Sequence, residues 1–320
     1  MNKFDQIYVA GHTGLVGAAV LRRLHSEGFT NLVTRTHAEL DLMEPGAVEA
    51  FFTKQRPQHV ILAAARVGGI LANATYPAEF IRDNLLIQTN VIHQAYIHGV
   101  EKLLFLGSSC IYPRDCPQPM REEHFMSGPL EKTNSAYAMA KIAGIEMCNA
   151  YNTQFGTKYL SVMPTNLYGP GDSFDLEQSH VLPAMIRKFH EGKIHGKPVT
   201  LWGTGAPRRE FLHVDDMAGA CVYLMTCSAE RLESVFSKNA PPLINIGCGQ
   251  DITIRELADL IRDIVGYKGE VRWDSSKPDG TPRKLLDTSR MTSLGWQPTV
   301  DLSRGIQDVY EWFQNAASVV

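Results

Sequence analysis

A glycine-rich loop near the start of the chain is the feature that most constrains the fold. The apolar run Ile7–Ala10 predicts a buried strand, and the amphipathic run 18–24 predicts a helix. Between them stand Gly11, Gly14 and Gly17, in the spacing G-x-x-G-x-x-G. In this setting, the three glycines allow a tight turn, close approach of a pyrophosphate to the backbone, and close packing of helix on strand. The loop therefore predicts a dinucleotide site, with phosphates at a helix N-terminus.

The alternation of strand and helix patterns continues beyond this unit. Further strands are predicted at 31–34, 59–65, 103–106 and 159–163, and long helices at 79–98 and from about 137 to 155. This order is typical of an α/β fold with a doubly wound parallel (Rossmann) sheet, whose ligands bind outside the carboxyl ends of the strands.

A turn rich in proline and glycine at 164–172 marks the expected domain transition. Beyond it we predict helices at 179–192, 217–225 and 254–265, and strands at 199–202, 210–216 and 243–247. The interpretation is a Rossmann domain over 1–170, joined again by part of 199–235, and a smaller α/β substrate domain formed mainly by 171–320.

Composition excludes several functional classes. The 320 residues carry a formal net charge of −3 and lack a long basic run, which argues against nucleic-acid binding. No apolar window approaches the roughly 18 residues that span a bilayer. The N-terminus has no signal-peptide pattern, so the expected location is the cytoplasm. Six scattered cysteines without a Cys-x-x-Cys pair indicate neither a disulfide framework nor a metal site.

A tyrosine and a lysine four residues apart indicate acid–base chemistry. Tyr137 and Lys141 would share one face of a helix, and an adjacent ammonium lowers the pKa of a phenol toward neutrality. Ser108 ends the preceding apolar strand and could donate a hydrogen bond to a substrate carbonyl oxygen. The three residues predict proton transfer to a ketone or alcohol.

The end of the second strand indicates which dinucleotide is bound. An acidic residue here usually binds the ribose 2′-hydroxyl of NAD, whereas a cation accommodates the 2′-phosphate of NADP. Arg35 and His37 occupy this place, so they favour NADP(H), and Asp41 could lie near the adenine.

Together these motifs resemble the extended short-chain dehydrogenase/reductase family, which acts on nucleotide sugars. The resemblance spans nearly the whole chain. The matching segments are the glycine loop, Ser108 to Pro113, Tyr137-x-x-x-Lys141, Met163 to Pro170, Ser179 to Val181, Arg209 to Asp216, and Ser276 to Asp287. Within the family they are most similar to the branch that converts GDP-4-keto-6-deoxy-D-mannose to GDP-L-fucose, by epimerisation at C3 and C5 and NADPH-dependent reduction at C4.

The resemblance also implies individual roles. Cys110 would be the base and His180 the acid of epimerisation, while Tyr137 would protonate the C4 oxygen with help from Lys141 and Ser108. Nucleotide-sugar contacts are implied for Lys188, Trp202, Arg209 and Asp279, and a homodimer through helices 79–98 and 135–155. The implied cofactor contacts are Gly11, His12, Thr13, Gly14, Leu15, Val16, Gly17, Arg35, His37, Asp41, Leu106, Gly107, Ser108, Ser109, Tyr137, Lys141, Pro164, Thr165, Asn166, Leu167 and His180.

Two alternatives remain open at this point. One is a 4,6-dehydratase or 4-epimerase of the same family. Dehydratases carry Asp-Glu after the catalytic Ser or Thr, whereas this chain has Ser109-Cys110, and a 4-epimerase needs no pair such as Cys110 and His180. The other is a non-catalytic dinucleotide-binding sensor, a class that tends to lose the Tyr-Lys pair.

Overall fold

A six-stranded sheet forms the centre of the molecule, in a computed structural model that describes residues 1–176, 179–236, 241–277 and 279–317. The strands lie in the order β2-β1-β3-β4-β5-β9, and every neighbouring pair is parallel. Their bounds are β1 Ile7–Ala10, β2 Leu32–Val33, β3 His59–Leu62, β4 Lys102–Leu106, β5 Tyr159–Pro164 and β9 Leu243–Ile246. The order changes direction between β1 and β3, which opens a crevice at the strands' carboxyl ends. The predicted doubly wound parallel sheet is confirmed.

Helices cover both faces of this sheet. They are α1 Leu15–Ser26, α2 Pro45–Gln55, α3 Ile70–Thr75, α4 Pro77–Ile97, α5 Ser135–Phe155, α6 Val181–His195, α7 Val214–Thr226, α8 Ile254–Val265, α9 Ser289–Ser293 and α10 Leu302–Ala317. The helices α1 and α7 pack on one face, and α2, α4 and α5 on the other. Within β1, Ile7 and Val9 join the first core and Tyr8 joins the second, because successive side chains of a strand point to opposite faces.

The rest of the chain builds two smaller sheets and a third core. The strand β8 Arg208–His213 lies at the centre of a sheet with β6 Asn166–Tyr168, β10 Asp251–Thr253 and β12 Arg283–Lys284. A parallel pair is formed by β7 Val199–Trp202 and β11 Val271–Asp274. Apolar faces of α6, α8 and α10 enclose the third core around Phe189, Ile261 and Ile306.

The two halves of the chain are interleaved. The strand β9 adds to the sheet that the first 170 residues begin, and α7 packs against α1. A division near residue 170 stays a prediction. No helix among the described residues is long and apolar enough to cross a lipid bilayer.

Local differences from the sequence prediction have identifiable causes. The predicted strand 210–216 ends at His213, because the ring nitrogen of His213 accepts a hydrogen bond from Asp215 N and caps α7. Helices α2, α3, α9 and α10, and the short strands β6, β10, β11 and β12, were not predicted from the pattern. All six cysteines are free thiols.

Candidate active site

The glycine loop forms a cradle at the start of α1. Gly11 has φ +81, and a methyl group there would lie 2.6 Å from Ala64 N. A methyl group on Gly17 would lie 2.1 Å from the carbonyl oxygen of Gly11. Gly14, by contrast, has room for a methyl group at 3.5 Å from the same oxygen, and it caps α1 without a side chain. Gly11 and Gly17 therefore serve packing, and Gly14 leaves the helix N-terminus open.

This cradle fits the dinucleotide that the sequence predicts. The N-terminus of α1 is open at Gly14, and the buried His12 Nδ1 in the same loop has no hydrogen-bond partner among the described residues. At the end of β2, the Arg35 guanidinium donates to Thr34 O at 2.6 Å and lies over the Phe51 ring at 5.7 Å. His37 is exposed, with its Nδ1 3.8 Å from an Asp41 carboxylate oxygen.

Tyr137 and Lys141 lie on the same face of α5, beside the end of β4. Lys141 Nζ donates to Leu106 O at 2.7 Å and lies 5.7 Å from the centre of the Tyr137 ring. The Tyr137 ring meets the edge of Phe80 with a centroid distance of 6.3 Å. Burial of Lys141 removes its charge from water, so its pKa falls to about 8.

One expectation about this pair is wrong for this structure. The sequence predicts that the lysine lowers the pKa of the phenol. Burial instead raises the pKa of Tyr137, and the Cys110 thiol raises it further. The physical reason is that burial removes the phenolate from water, while the Lys141 ammonium donates its hydrogen bond to the carbonyl of Leu106.

Ser108 and Cys110 follow β4 directly. The Ser108 hydroxyl accepts a hydrogen bond from Cys110 N at 3.4 Å and caps a short 3-10 turn at Ser109–Ile111. Burial raises the pKa of the Cys110 thiol, while the Ser108 hydroxyl and the ammonium groups of Lys284 and Lys141 lower it. The thiol of Cys110 acts electrostatically on both Tyr137 and Lys141, and Lys141 lies over the Tyr137 ring, so the structure brings these three groups into one cluster.

His180 lies at the N-cap of α6, in the second half of the chain. It faces Asp172: burial raises the pKa of that carboxyl, and the charge of His180 lowers it. Asp172 Oδ2 has no hydrogen-bond partner among the described residues. An imidazole and a carboxyl group therefore lie close together in the segment after β6.

The predicted nucleotide-sugar residues form a second group around β7 and β8. Trp202 is 59% exposed, with Lys188 Nζ 5.7 Å and Lys277 Nζ 5.5 Å from its ring centre. Lys188 also donates to Thr200 O at 3.1 Å. The two cations and the open indole face could accept a planar, anionic ligand.

Arg209 and Asp279 lie near this group. Burial lowers the pKa of Arg209, and the charge of Asp279 raises it. The Asp279 carboxylate accepts hydrogen bonds from Thr204 N at 2.7 Å and from its hydroxyl at 2.8 Å. The neighbouring Pro278, part of the segment used for the resemblance, lies outside the described residues.

Sequence reasoning missed a buried glutamate on β8, next to Arg209 in the chain. Glu210 is fully buried, and its carboxylate accepts hydrogen bonds from Gly249 N at 2.7 Å and Leu286 N at 2.9 Å. Its carbonyl accepts from Asn166 Nδ2 at 2.7 Å and Thr165 Oγ1 at 3.2 Å. A charged residue inside the apolar run 210–214 was the available signal.

Comparisons with known proteins show which family the chain is similar to. Residues 7–247 match the NAD dependent epimerase/dehydratase family. The chain is 58% identical to GDP-L-fucose synthase 1 of Arabidopsis thaliana over 98% of this chain and 94% of that protein. It is 53% identical to GDP-L-fucose synthase of Escherichia coli, over 97% and 96% of the two chains. A solved GDP-mannoheptose C4 reductase from Campylobacter jejuni with NADP bound superposes with a TM-score of 0.90 at 40% identity, covering 98% and 99%.

Proposed function

The chain belongs to the NAD dependent epimerase/dehydratase family, and from that premise we propose that it converts GDP-4-keto-6-deoxy-D-mannose to GDP-L-fucose. The observation that carries the proposal is the cluster of Ser108, Cys110, Tyr137 and Lys141 at the carboxyl end of β4. It combines a base for carbon, Cys110, with a proton donor for oxygen, Tyr137. The relatives named above are similar over the whole length, which supports the same chemistry here.

The proposed cofactor is NADP(H), held by the glycine cradle of the N-terminal half. When bound, the reduced nicotinamide supplies the hydride that reduces C4. The open N-terminus of α1 would bind the pyrophosphate, and Arg35 would bind the 2′-phosphate as a planar cation. The second half of the chain would then mainly hold the nucleotide sugar.

Cys110 and His180 are the proposed epimerisation residues. A ketone at C4 makes the hydrogens at C3 and C5 acidic, because the electron pair spreads onto the carbonyl oxygen. The Cys110 thiolate would take the proton from carbon, and His180 would return one to the opposite face. Both a thiol and an imidazole can exchange protons within a few pH units of neutrality.

Reduction is assigned to Tyr137, Lys141 and Ser108. Tyr137 would donate its proton to the C4 oxygen as negative charge develops there, and Ser108 would donate a hydrogen bond to the same oxygen. A raised phenol pKa keeps Tyr137 protonated until that moment. Lys141 would orient the cofactor ribose and stabilise the phenolate once the proton has left.

Substrate contacts are proposed around the exposed indole. Lys188 and Arg209 would pair with the diphosphate, Trp202 would offer its face to the nucleotide, and Asp279 would hold the adjoining loop through Thr204. Lys188 would act as a point charge, since an ammonium cannot form the bidentate contacts of arginine.

Cofactor stoichiometry tests this function against the alternatives. With GDP-4-keto-6-deoxy-D-mannose, we expect one NADPH consumed per GDP-L-fucose formed, measured by absorbance and by chromatography of the sugar. Arg35→Ala should weaken NADPH binding at least about tenfold and leave NADH binding nearly unchanged, because a charged hydrogen-bond pair contributes about 1.5–3 kcal/mol. Absence of NADPH consumption with this ketone would contradict the proposal and favour a 4-epimerase or a 4,6-dehydratase, both of which regenerate their cofactor in each turnover.

We further propose a cytoplasmic homodimer formed through α4 and α5. Exposed apolar side chains on these helices support it: Ile97 is 56%, Met139 49% and Phe155 43% exposed, and Tyr96 stacks on Phe155. Sedimentation equilibrium should give twice the mass of 35.6 kDa, and Ile97→Glu should give the monomer. A monomeric wild-type protein would contradict the dimer and leave the reaction untouched.

A further inference from the structure

Lys284 lines the same cavity as Cys110, the proposed epimerisation base. It ends β12, where it pairs in register with Arg209 of β8. Within the described part of the chain, no carboxylate oxygen lies within 4.0 Å of its ammonium nitrogen. The other lysine of the cluster, Lys141, is already engaged by the carbonyl of Leu106.

Hydrogen bonds fix the segment after Lys284 against the loop that follows Cys110. Met120 N donates to Leu285 O at 2.8 Å, and Asp287 N donates to Met120 O at 2.8 Å. Leu285 N donates to the Gln118 side chain at 2.9 Å, and the buried Glu210 carboxylate accepts from the next amide. These hydrogen bonds fix the backbone next to Lys284, so the position of that backbone does not depend on a bound ligand.

Cys110 and Lys284 line the same small cavity. Its volume is about 10 Å³, close to the minimum of roughly 10–15 Å³ that a water molecule needs. The groups facing Cys110 are Ser108 on its own turn, Tyr137 and Lys141 on α5, and Lys284 on β12. Glu131 also lines the cavity, and it pairs with Arg114 at 3.5 Å. Of the cations that line this cavity, Arg114 pairs with Glu131 and Arg283 pairs with Asp251, whereas Lys284 makes no ion pair among the described residues.

We propose that the ammonium group of Lys284 is the counter-ion of the Cys110 thiolate, and so a positioning residue that makes Cys110 a base. The inference rests on the proposed function and assigns the residue that supports its first step. The C–H bond at C3 or C5 breaks, an S–H bond forms, and the electron pair moves to the C4 oxygen. Throughout, Lys284 keeps its proton and balances the negative charge on sulfur.

The electrostatics agree with this geometry in both directions. The ammonium of Lys284 lowers the pKa of Cys110, against the larger opposing effect of burial. Burial and the charge of Arg209 lower the pKa of Lys284, and Cys110 raises it. A thiolate next to an ammonium stabilises the charged form of each partner.

Alkylation of Cys110 by iodoacetamide tests the pairing without any substrate. The rate between pH 6 and 10 is followed by mass spectrometry of the peptide 103–114, in which Cys110 is the only cysteine. Lys284→Met and Lys284→Gln should raise the midpoint by about one pH unit and slow alkylation at neutral pH about tenfold. Lys284→Arg should keep the midpoint near wild type, because it retains the charge. Lys158→Met, at the opposite end of the sheet, is the matched control, and it should leave the midpoint and the rate of Cys110 alkylation unchanged.

Deuterium wash-in at C3 and C5 provides the second readout. With both neutral variants, Lys284→Met and Lys284→Gln, deuterium should enter C3 and C5 of the sugar about tenfold more slowly than with wild type. Their affinity for NADPH should be unchanged, and that binding shows that the variants fold. An unchanged alkylation midpoint in both neutral variants would overturn the proposal. If the midpoint stayed at the wild-type value and the KM for the GDP-sugar rose, Lys284 would bind phosphate and not support Cys110. Absence of wash-in with the wild-type protein would refute the proposed function, while the alkylation profile still reports on the pair.

Discussion

At the scale of single residues, burial shifts the pKa values of the proposed catalytic groups more than charge pairing does. Tyr137, Cys110 and Lys141 each have a pKa displaced toward the neutral form, and desolvation is the largest cause for all three. A phenol that stays protonated is ready to donate its proton. A thiol that has to act as a base needs a nearby cation, which lowers the free-energy penalty of ionising it in a buried site.

Replacing the phenol separates reduction from binding. Tyr137→Phe removes the proposed proton donor but keeps the ring against Phe80. We expect reduction to fall by about 10²–10⁴-fold, the usual contribution of a general acid, with the Kd for NADPH within about threefold of wild type. Single-turnover fluorescence of NADPH measures both. Turnover within about tenfold of wild type would assign the proton to another group.

The buried lysine gives a stability difference that depends on pH. Lys141 has a pKa of about 8 in the folded protein, and about 10.4 in an unfolded chain. Between these values the unfolded state binds more protons, so the free energy of unfolding contributed by this group rises with pH. Relative to Lys141→Met, wild type should gain about 2 kcal/mol from pH 7.5 to 9.5.

Denaturant unfolding of both proteins at the two pH values measures this gain, and the comparison cancels the other titrating groups. A constant difference between wild type and variant would mean that Lys141 keeps its ordinary pKa in the fold.

At the scale of elements, two glycines of the loop between β1 and α1 differ in their surroundings, which separates packing from the proposed cofactor binding. Gly17 lets α1 approach the backbone of Gly11, whereas Gly14 stands where a methyl group would meet only ordinary contacts. The same residue type therefore has different reasons to be present at two positions three residues apart.

These two glycines form a matched pair of variants. Gly17→Ala should destabilise the fold by at least about 2 kcal/mol, because the methyl group overlaps backbone that cannot move away. Gly14→Ala should change the free energy of unfolding by less than about 1 kcal/mol, yet weaken NADPH binding at least about tenfold by blocking the phosphates. Thermal unfolding and fluorescence titration provide the two measurements. Equal losses of stability in both variants would contradict the assignment.

At the scale of the whole molecule, buried carboxylates join segments that are distant in sequence. Glu210 connects β8, the loop at Gly249 and the segment after β12. Asp216 on α7 accepts hydrogen bonds from Thr299 N at 3.0 Å, its hydroxyl at 2.9 Å, and Val300 N at 2.9 Å, just before α10. The C-terminal helix is therefore attached to the Rossmann sheet through α7.

Neighbouring aspartates allow this attachment to be measured. Asp216→Ala removes three hydrogen bonds to a buried acceptor and should cost about 2–4 kcal/mol of unfolding free energy. Asp215→Ala removes an exposed pair with Arg22, and should cost less than about 1 kcal/mol. Equilibrium denaturation gives both values. Similar costs for the two variants would show that the contact with Thr299 and Val300 does not hold the C-terminal helix.

The amino-acid sequence by itself predicted the parallel sheet, the tight turn at Gly11 and the shared helix face of Tyr137 and Lys141. Periodicity and local spacing indicate which residues share a strand or a helix face. It could not determine that Lys284 lies beside Cys110, or that Glu210 joins three segments, since these neighbours are far apart along the chain. The direction in which the Tyr137 pKa shifts was also decided only by the tertiary structure. Burial depends on what packs around a group, and no pattern within α5 contains that information.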